Sequence, residues 1–531
     1  MQNRKTVKTT IIVRKNELKA LITILCILIT TSIGAKNPPI DVADLESEDS
    51  IINFRDNTRR LLQDIEYKAE AVGTFSFNSR YTPLWLNSNK YGLGGIKESN
   101  GHIRAGIFRN YENDSTRKWK IGYGADLAVA YNYTGDFIVQ QLYADFGYKK
   151  LFLSVGAKER NANLKNDELS SGSQTFGINA RPIPEIRIEL PEYISISNKC
   201  KWFALRGHIG YGITTDGNWQ ESFSSKGHRY TKKVIYHSKS GFVRIGNEKL
   251  FPVVFEGGVE MAATFGGRYY DGNGNSVNMY NGLKDFYDVF FVKGYDYGET
   301  IYKNAKGNTV GSWLFSLKYK GDNWAARLYY DHFFEDHSAM FWQYGWKDGM
   351  YGAEITLPYN RFISSLVYEY IYTKYQSGPI YHDQTQGIKD QISATDNYYN
   401  HGLYSGWQHW GEAIGNPLYI SPIYNSNGML TFLGNRFSAH HIGLCGNPIN
   451  SLHYKVLFTY SQQLGTYKNP YDDKKYQRSF LCELTYSPRN IGRLKTNGWS
   501  AMAAFALDRG SATGNNTGFQ IAIRKSGLFS F

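Results

Sequence analysis

Four stretches of this chain set aromatic rings beside amides, carboxylates and guanidinium groups. They are residues 81–92 (YTPLWLNSNKYG), 169–173 (LSSGS) with 179–184 (NARPIP), 334–338 (FEDHS) with 346–349 (WKDG), and 396–401 (DNYYNH) with 407–410 (WQHW) and 415–418 (GNPL). Tryptophan and tyrosine faces stack on the C–H faces of pyranose rings, amides and carboxylates bond hydroxyls, and a guanidinium pairs with an acidic substituent. On that chemistry Trp85, Tyr398, Tyr399, Trp407 and Trp410 are the stacking candidates, and Asn400, His401, Arg181 and Arg436 their polar partners. The same types at the same spacing also suit long loops that pack against one another. A catalytic reading begins at Glu335, Asp336, His337 and Ser338, an acid, a base and a nucleophile in a row, with Asp331 and His332 just before them. Neighbours on an extended segment point to opposite sides, so they cannot converge as a triad. No nucleophile elbow, HExxH pair or phosphate-binding glycine loop occurs, so no enzyme and no cofactor is expected. The adjacent His440 and His441 lack a carboxylate or cysteine at ligand spacing, and no metal is expected either.

Something must hold these clusters, and the stretches between them repeat with a period of two. Trp119, Ile121, Tyr123, Ala125, Leu127, Val129 and Tyr131 alternate with Lys118, Lys120, Gly122, Gly124 and Asp126. Like alternation over 67–77, 103–110, 137–148, 151–158, 185–196, 203–213, 234–245, 255–265, 313–319, 324–330, 351–357, 361–372, 439–446, 454–460, 480–486, 499–507 and 517–531 brings the total to about 18 strands, an even number. The last stretch sends Phe519, Ile521, Ile523, Phe529 and Phe531 to one face and Gln520, Ala522 and Arg524 to the other, ending on an aromatic at the terminal carboxylate. Connections alternate between short (148–150, 320–323, 357–360) and long (78–102, 159–184, 214–233, 266–310, 334–349, 373–438). A soluble sandwich or propeller does not predict that asymmetry, whereas a membrane barrel with short periplasmic turns and long outward loops does. Closure follows because an open sheet edge in hydrocarbon would leave backbone groups unpaired.

Composition agrees. Tyr 42, Phe 30 and Gly 53 against Pro 14 suit twisted strands with aromatic girdles. Mean hydropathy is −0.45, because each strand averages a lipid face with a wet face. Residues 1–35 read as a cleaved signal peptide: six basic residues up to Lys19, an apolar run from Ala20 to Ile29, then small residues to Ala35. The apolar run falls short of the roughly 20 residues a spanning helix needs. Residues 36–65 read as a periplasmic linker with a short amphipathic helix, and 66–531 as the barrel. The formal charge of +13 includes six basic residues and Glu17 in the leader, leaving +8, which fits acidic polysaccharide or lipopolysaccharide phosphates as neighbours. Cys200, Cys445 and Cys482 are odd in number and far apart, which argues against a disulfide framework. On the wet faces Lys118, Lys120, Asp126, Arg206, Glu256, Glu260, Arg327, Asp331, Glu483 and Arg524 mix signs, predicting ion pairs across a lumen rather than a single-sign filter.

In their order and spacing the four clusters resemble the capsule assembly Wzi family of outer-membrane proteins, over nearly the whole chain from Glu66 to Phe531. The resemblance implies an outer-membrane barrel of about 18 strands that acts as a surface lectin, holding capsular or other exopolysaccharide to the outer membrane and helping assemble the capsule. Described members close the periplasmic mouth with a helical bundle, and residues 36–65 have room for only one or two helices. The partners this reading predicts are the polysaccharide, outer-membrane lipid and lipopolysaccharide, and the barrel insertion machinery through Phe531, with no nucleic acid. A general or sugar-selective porin is the alternative.

Overall fold

The computed structural model describes residues 61–77, 79–197, 199–224, 227–295, 304–335, 340, 342, 347–358, 362–382, 391–492 and 494–529. The signal peptide read at 1–35, the linker and most of the helix read within 36–65, Asp336 to Ser338 and Phe531 lie outside them. The chain divides into two units, 1–63 and 64–531, and the fold described here is that of the second.

Eighteen antiparallel strands form one closed sheet. In chain order they are β1 Glu66–Ser76, β2 Ser99–Arg109, β3 Trp119–Tyr131, β4 Phe137–Tyr148, β5 Leu151–Ala157, β6 Glu185–Ser195, β7 Phe203–Ile213, β8 Ile235–Ile245 and β9 Val253–Phe265. They continue with β10 Asn308–Lys320, β11 Ala325–Glu335, β12 Gly349–Thr356, β13 Ser365–Tyr372, β14 Phe437–Ile449, β15 Leu452–Gly465, β16 Pro470–Tyr486, β17 Trp499–Gly510 and β18 Asn516–Leu528. Each pairs with its sequence neighbour, and β18 returns to β1 with Glu70 opposite Arg524 and Gly73 opposite Ile521. Every strand anticipated from alternation is present.

The outer face is apolar where lipid must cover it. Ile103 (69% exposed), Val129 (63%) and Ile521 (58%) point outward, while Asp126, Gln520 and Ala522 from the same strands point inward and are buried. The short-turn rim carries an aromatic girdle, with Trp119 against Tyr148 (ring centroids 4.8 Å apart) and Tyr319 against Trp324 (5.3 Å). The mixed signs of the wet faces become ion pairs: Arg104 with Asp126 (2.5 Å) and Glu159 (2.9 Å), Lys455 with Glu483 (3.2 Å), and Arg524 with Glu70 across the closing seam.

Several strands extend further toward the long-loop rim than alternation predicts, β10, β11, β15 and β16 among them. β16 begins at Pro470 rather than 480, because the charged run Asp472 to Lys475 rises above the lipid belt and needs no apolar face. β10 begins at Asn308 and β11 runs on to Glu335, and the last five residues of β11 are all buried. There the loop between β9 and β10 lies against the outer wall, its helix α1 (Leu283–Phe290) placing Val289 with Ala263 and Phe265. Covered on both sides, these rim segments lose the wet-dry rhythm that marks a strand.

Candidate functional site

The long loops do not only roof the barrel; they fill it. The loop between β5 and β6 descends along the wall and is tied strand by strand. Asn163 donates to Glu260 of β9 (2.9 Å), Lys165 pairs with Asp331 of β11 (3.2 Å), and Asn166 donates to Glu354 of β12 (2.8 Å). The Glu369 carboxylate of β13 accepts from Ser170 Oγ (2.5 Å), Ser171 N (2.8 Å), Ser171 Oγ (2.5 Å) and Tyr329 OH (2.6 Å). His441 of β14 donates or accepts at Thr459 Oγ1 (2.7 Å) and donates through Nε2 to the Leu169 carbonyl (2.8 Å). Gly443 is what allows that approach, since a Cβ there would stand 2.3 Å from the Leu169 oxygen. The wet-face carboxylates of the lumen are thus largely anchors for this plug.

On top of the plug lies the loop between β13 and β14. Tyr399 stacks on Tyr419 (3.9 Å), donates to the Gln174 carbonyl, and receives a bond from Asn416 N (3.0 Å). Trp407 donates to the Thr175 carbonyl (2.9 Å) and Tyr398 to Asp348 (3.0 Å). From the loop between β1 and β2, Trp85 donates to Thr459 (3.2 Å) beside the His441 ring. Trp85, Tyr398, Tyr399 and Trp407 are 3%, 1%, 0% and 0% exposed, so none offers a face to a ligand from outside. Each polar tip finds a hydroxyl, backbone or carboxylate partner, so the rings are buried without stranding a donor. Glu335 and Asp331, read as possible chemistry, bond Tyr399 N and the plug's Gln174 N.

Of the other five candidates, Trp410, Asn400, His401 and Arg436 are partly exposed and Arg181 is buried, and they sit in two places. At the first, Gln408–His409 pairs with Glu412–Ala413 in a hairpin whose two turn residues, Trp410 (φ 57°) and Gly411 (φ 83°), are both left-handed. That turn type favours Asn-Gly, and a tryptophan there is strained. The ring lies 4.2 Å from the Arg181 guanidinium and donates through Nε1 to Thr215 (3.1 Å). His409 holds the base of the hairpin. The Thr215 backbone N–H donates to its Nε2 (3.2 Å), so the proton is on Nδ1, which donates to the Arg181 carbonyl (2.8 Å). Burial lowers the His409 pKa, in keeping with a neutral ring. Burial also pushes Glu412 up to about 8, against the pull of Arg181, and Arg181 down to about 10.

At the second, a groove of about 260 Å³ is lined by Arg229, Asn400, His401, Phe432, Lys468 and Asn469 among others, with two cations and no carboxylate. His401 forms part of a turn, its Nδ1 accepting from Leu403 N (3.0 Å), and burial next to Arg229 pulls its pKa down to about 4. Asn400 is spent on the Phe432 backbone, donating to its carbonyl (2.9 Å) and accepting from its N–H (2.8 Å). Close by, the Arg436 guanidinium lies 3.6 Å over the Tyr467 ring, and Tyr467 OH donates to the Lys374 carbonyl (3.1 Å). Lys374 has its pKa lowered by burial and by Lys474 and Arg436, a sign of how dense positive charge is at this rim. Sequence reasoning missed Arg229 and Lys468. The basic run 226–233 and the turn 465–470 contain them, but neither carries the aromatic density that marked the other clusters.

No family model matches the chain, and no curated protein matches it. Among solved structures it is similar to Wzi, an outer membrane protein of Escherichia coli involved in group 1 capsule assembly and a carbohydrate binding β-barrel, with 12% identity over 93% of this chain and 90% of that one and a TM-score of 0.53. The fold is that of an outer-membrane β-barrel. It is also similar to Pseudomonas aeruginosa OprD (8% identity, 88% of this chain and 96% of that one, TM-score 0.44). A further likeness is to P. aeruginosa OccK2 in complex with glucuronate (7%, 88% and 98%, TM-score 0.45).

Proposed function

We propose that this barrel is a surface receptor for an acidic capsular or other exopolysaccharide, held by the outward loops and retained at the cell without a catalytic step. The observation that carries the reading is the groove between Arg229, His401 and Lys468, cationic and free of carboxylates, on a rim where Arg436 and Lys374 add further charge. A uronate or another anionic substituent suits it, and Trp410 and Tyr467 stand near the surface for stacking. Filling of the lumen by the loops supports holding over passage. Individual contacts of this kind are weak, and a repeating polymer multiplies them by avidity. The similarity to Wzi is consistent with this reading.

A porin is the second reading. A cavity of about 340 Å³ lies under the plug, lined by both signs of charge including Glu70, Lys90, Arg104, Glu483 and Arg524, as a vestibule would be. Planar-bilayer recording separates the two, since a receptor with a filled bore gives little steady conductance. For the receptor itself, Arg229→Ser with Lys468→Ser is expected to shift polysaccharide from cells to medium. If the double variant reaches the membrane at the wild-type level and the partition is unchanged, the groove is not the seat. An unchanged partition in a deletion strain would end the capsule reading altogether.

A further inference from the structure

We infer that the barrel holds a Zn²⁺ ion where the plug meets the short-turn end of the wall, ligated by Glu168, Cys445 and His453. Their donor atoms, a carboxylate oxygen, the thiol Sγ and an imidazole nitrogen, lie within 4.8 Å of one another. Tetrahedral zinc with bonds of about 2.0–2.3 Å sets its ligands roughly 3.3–3.8 Å apart, so small side-chain rotations suffice to close the site. The three come from different parts of the chain: Glu168 from the plug loop, Cys445 from β14 and His453 from β15.

Each ligand is held for the purpose. Asn166 Oδ1 accepts from the Glu168 and Leu169 backbone N–H groups (both 3.1 Å), and its own amide is fixed to Glu354, so the turn presenting Glu168 is pinned to the wall. His453 turns Nε2 toward Glu168 (2.6 Å), while Nδ1 faces Asn447 Oδ1 (3.5 Å), the outer partner that orients a ligand imidazole. Cys445 is free of any disulfide. Lys455, opposite Cys445 in the ladder, is already paired with Glu483. A thiolate and a carboxylate neutralise a divalent charge, and a thiolate selects zinc over magnesium or calcium. The His453 and Glu168 side chains are 32% and 41% exposed and Glu168 also lines the cavity under the plug, which gives the ion a way in and leaves the fourth position to water. Bound there, the metal staples the plug to β14 and β15 at the end opposite the sugar-binding rim.

Titration of the purified full-length protein in detergent with Zn²⁺ is expected to give one equivalent bound. Cys445→Ser and His453→Ala are each expected to weaken it by at least about tenfold, and Cys482→Ser to leave it unchanged. Co²⁺ in place of Zn²⁺ gives the wild-type protein a near-ultraviolet thiolate-to-metal band, a readout that needs no variant to fold. Heat-modifiable migration on a gel reports that each variant is a closed barrel. The assignment is overturned if the wild type binds no Zn²⁺, if the Co²⁺ form lacks that band, or if a closed Cys445→Ser barrel binds as the wild type does.

Discussion

Trp407 and Trp410 are three positions apart and have opposite fates. Trp407 is enclosed on all sides, so Trp407→Ala opens a cavity of the kind that costs about 3–5 kcal/mol, expected as new protease cleavage in the loop between β13 and β14 of an otherwise closed barrel. Trp410 stands at a turn with its ring on Arg181. Trp410→Gly gives up a cation–π contact of about 0.5–2 kcal/mol and relieves left-handed strain of about 1–3 kcal/mol. The two nearly cancel, so the variant should keep its protease resistance, and any loss of polysaccharide retention then reports on the ring itself. Glu412 gives the site a pH dependence. Its folded pKa of about 8 lies above the ordinary 4.5, so the stability it contributes is complete below pH 4.5 and is lost as pH rises through 8. Protease resistance of the hairpin should therefore fall between those values, and Glu412→Gln should flatten the profile.

At the scale of elements, the plug loop depends on buried carboxylates more than on apolar burial. Glu369 receives four bonds from the plug and β11, and its removal strands four donors inside the bore. Glu369→Ala should cost about 3–5 kcal/mol locally and loosen the plug without opening the sheet, since the backbone at this position keeps its pairing with Gly352 and His441. Bilayer recordings should show conductance steps in this variant that the wild type lacks. A variant as silent as the wild type would mean that the upper loops alone close the bore. Described members of the family this chain resembles close the periplasmic mouth with a helical bundle, for which residues 36–65 leave room for only one or two helices. Among the described residues, closure comes from the loops between β1 and β2, β5 and β6, and β13 and β14.

For the whole molecule, the lipid belt sets the boundary conditions. Leu142→Lys, opposite Ala125 in the middle of its strand, puts a charge on the lipid face at a cost of about 2–4 kcal/mol near mid-membrane, and should lower the yield of heat-modifiable barrel. An equal yield would mean that the residue lies above the hydrocarbon. Alternation made the strands legible because lipid and lumen impose opposite demands on successive residues, so even the closing pair of β1 and β18 could be read from Phe519, Gln520 and Ile521. The strand ends at Asn308, Glu335 and Pro470 were not legible, since there lipid no longer dictates one of the two faces.

By itself, then, the sequence determined the strand count, the two faces and the rim where the loops gather, because each depends on neighbours two residues apart. Whether a loop aromatic faces sugar or fills the bore depends on contacts such as Trp85 with Thr459, Trp407 with Thr175 and Tyr399 with Gln174, across hundreds of residues. The cationic groove of Arg229 with Lys468 and the trio of Glu168, Cys445 and His453 are likewise invisible to local spacing. Only closure of the barrel brings those segments together, since a closed wall forces distant loops into one confined volume where every buried polar group must find a partner.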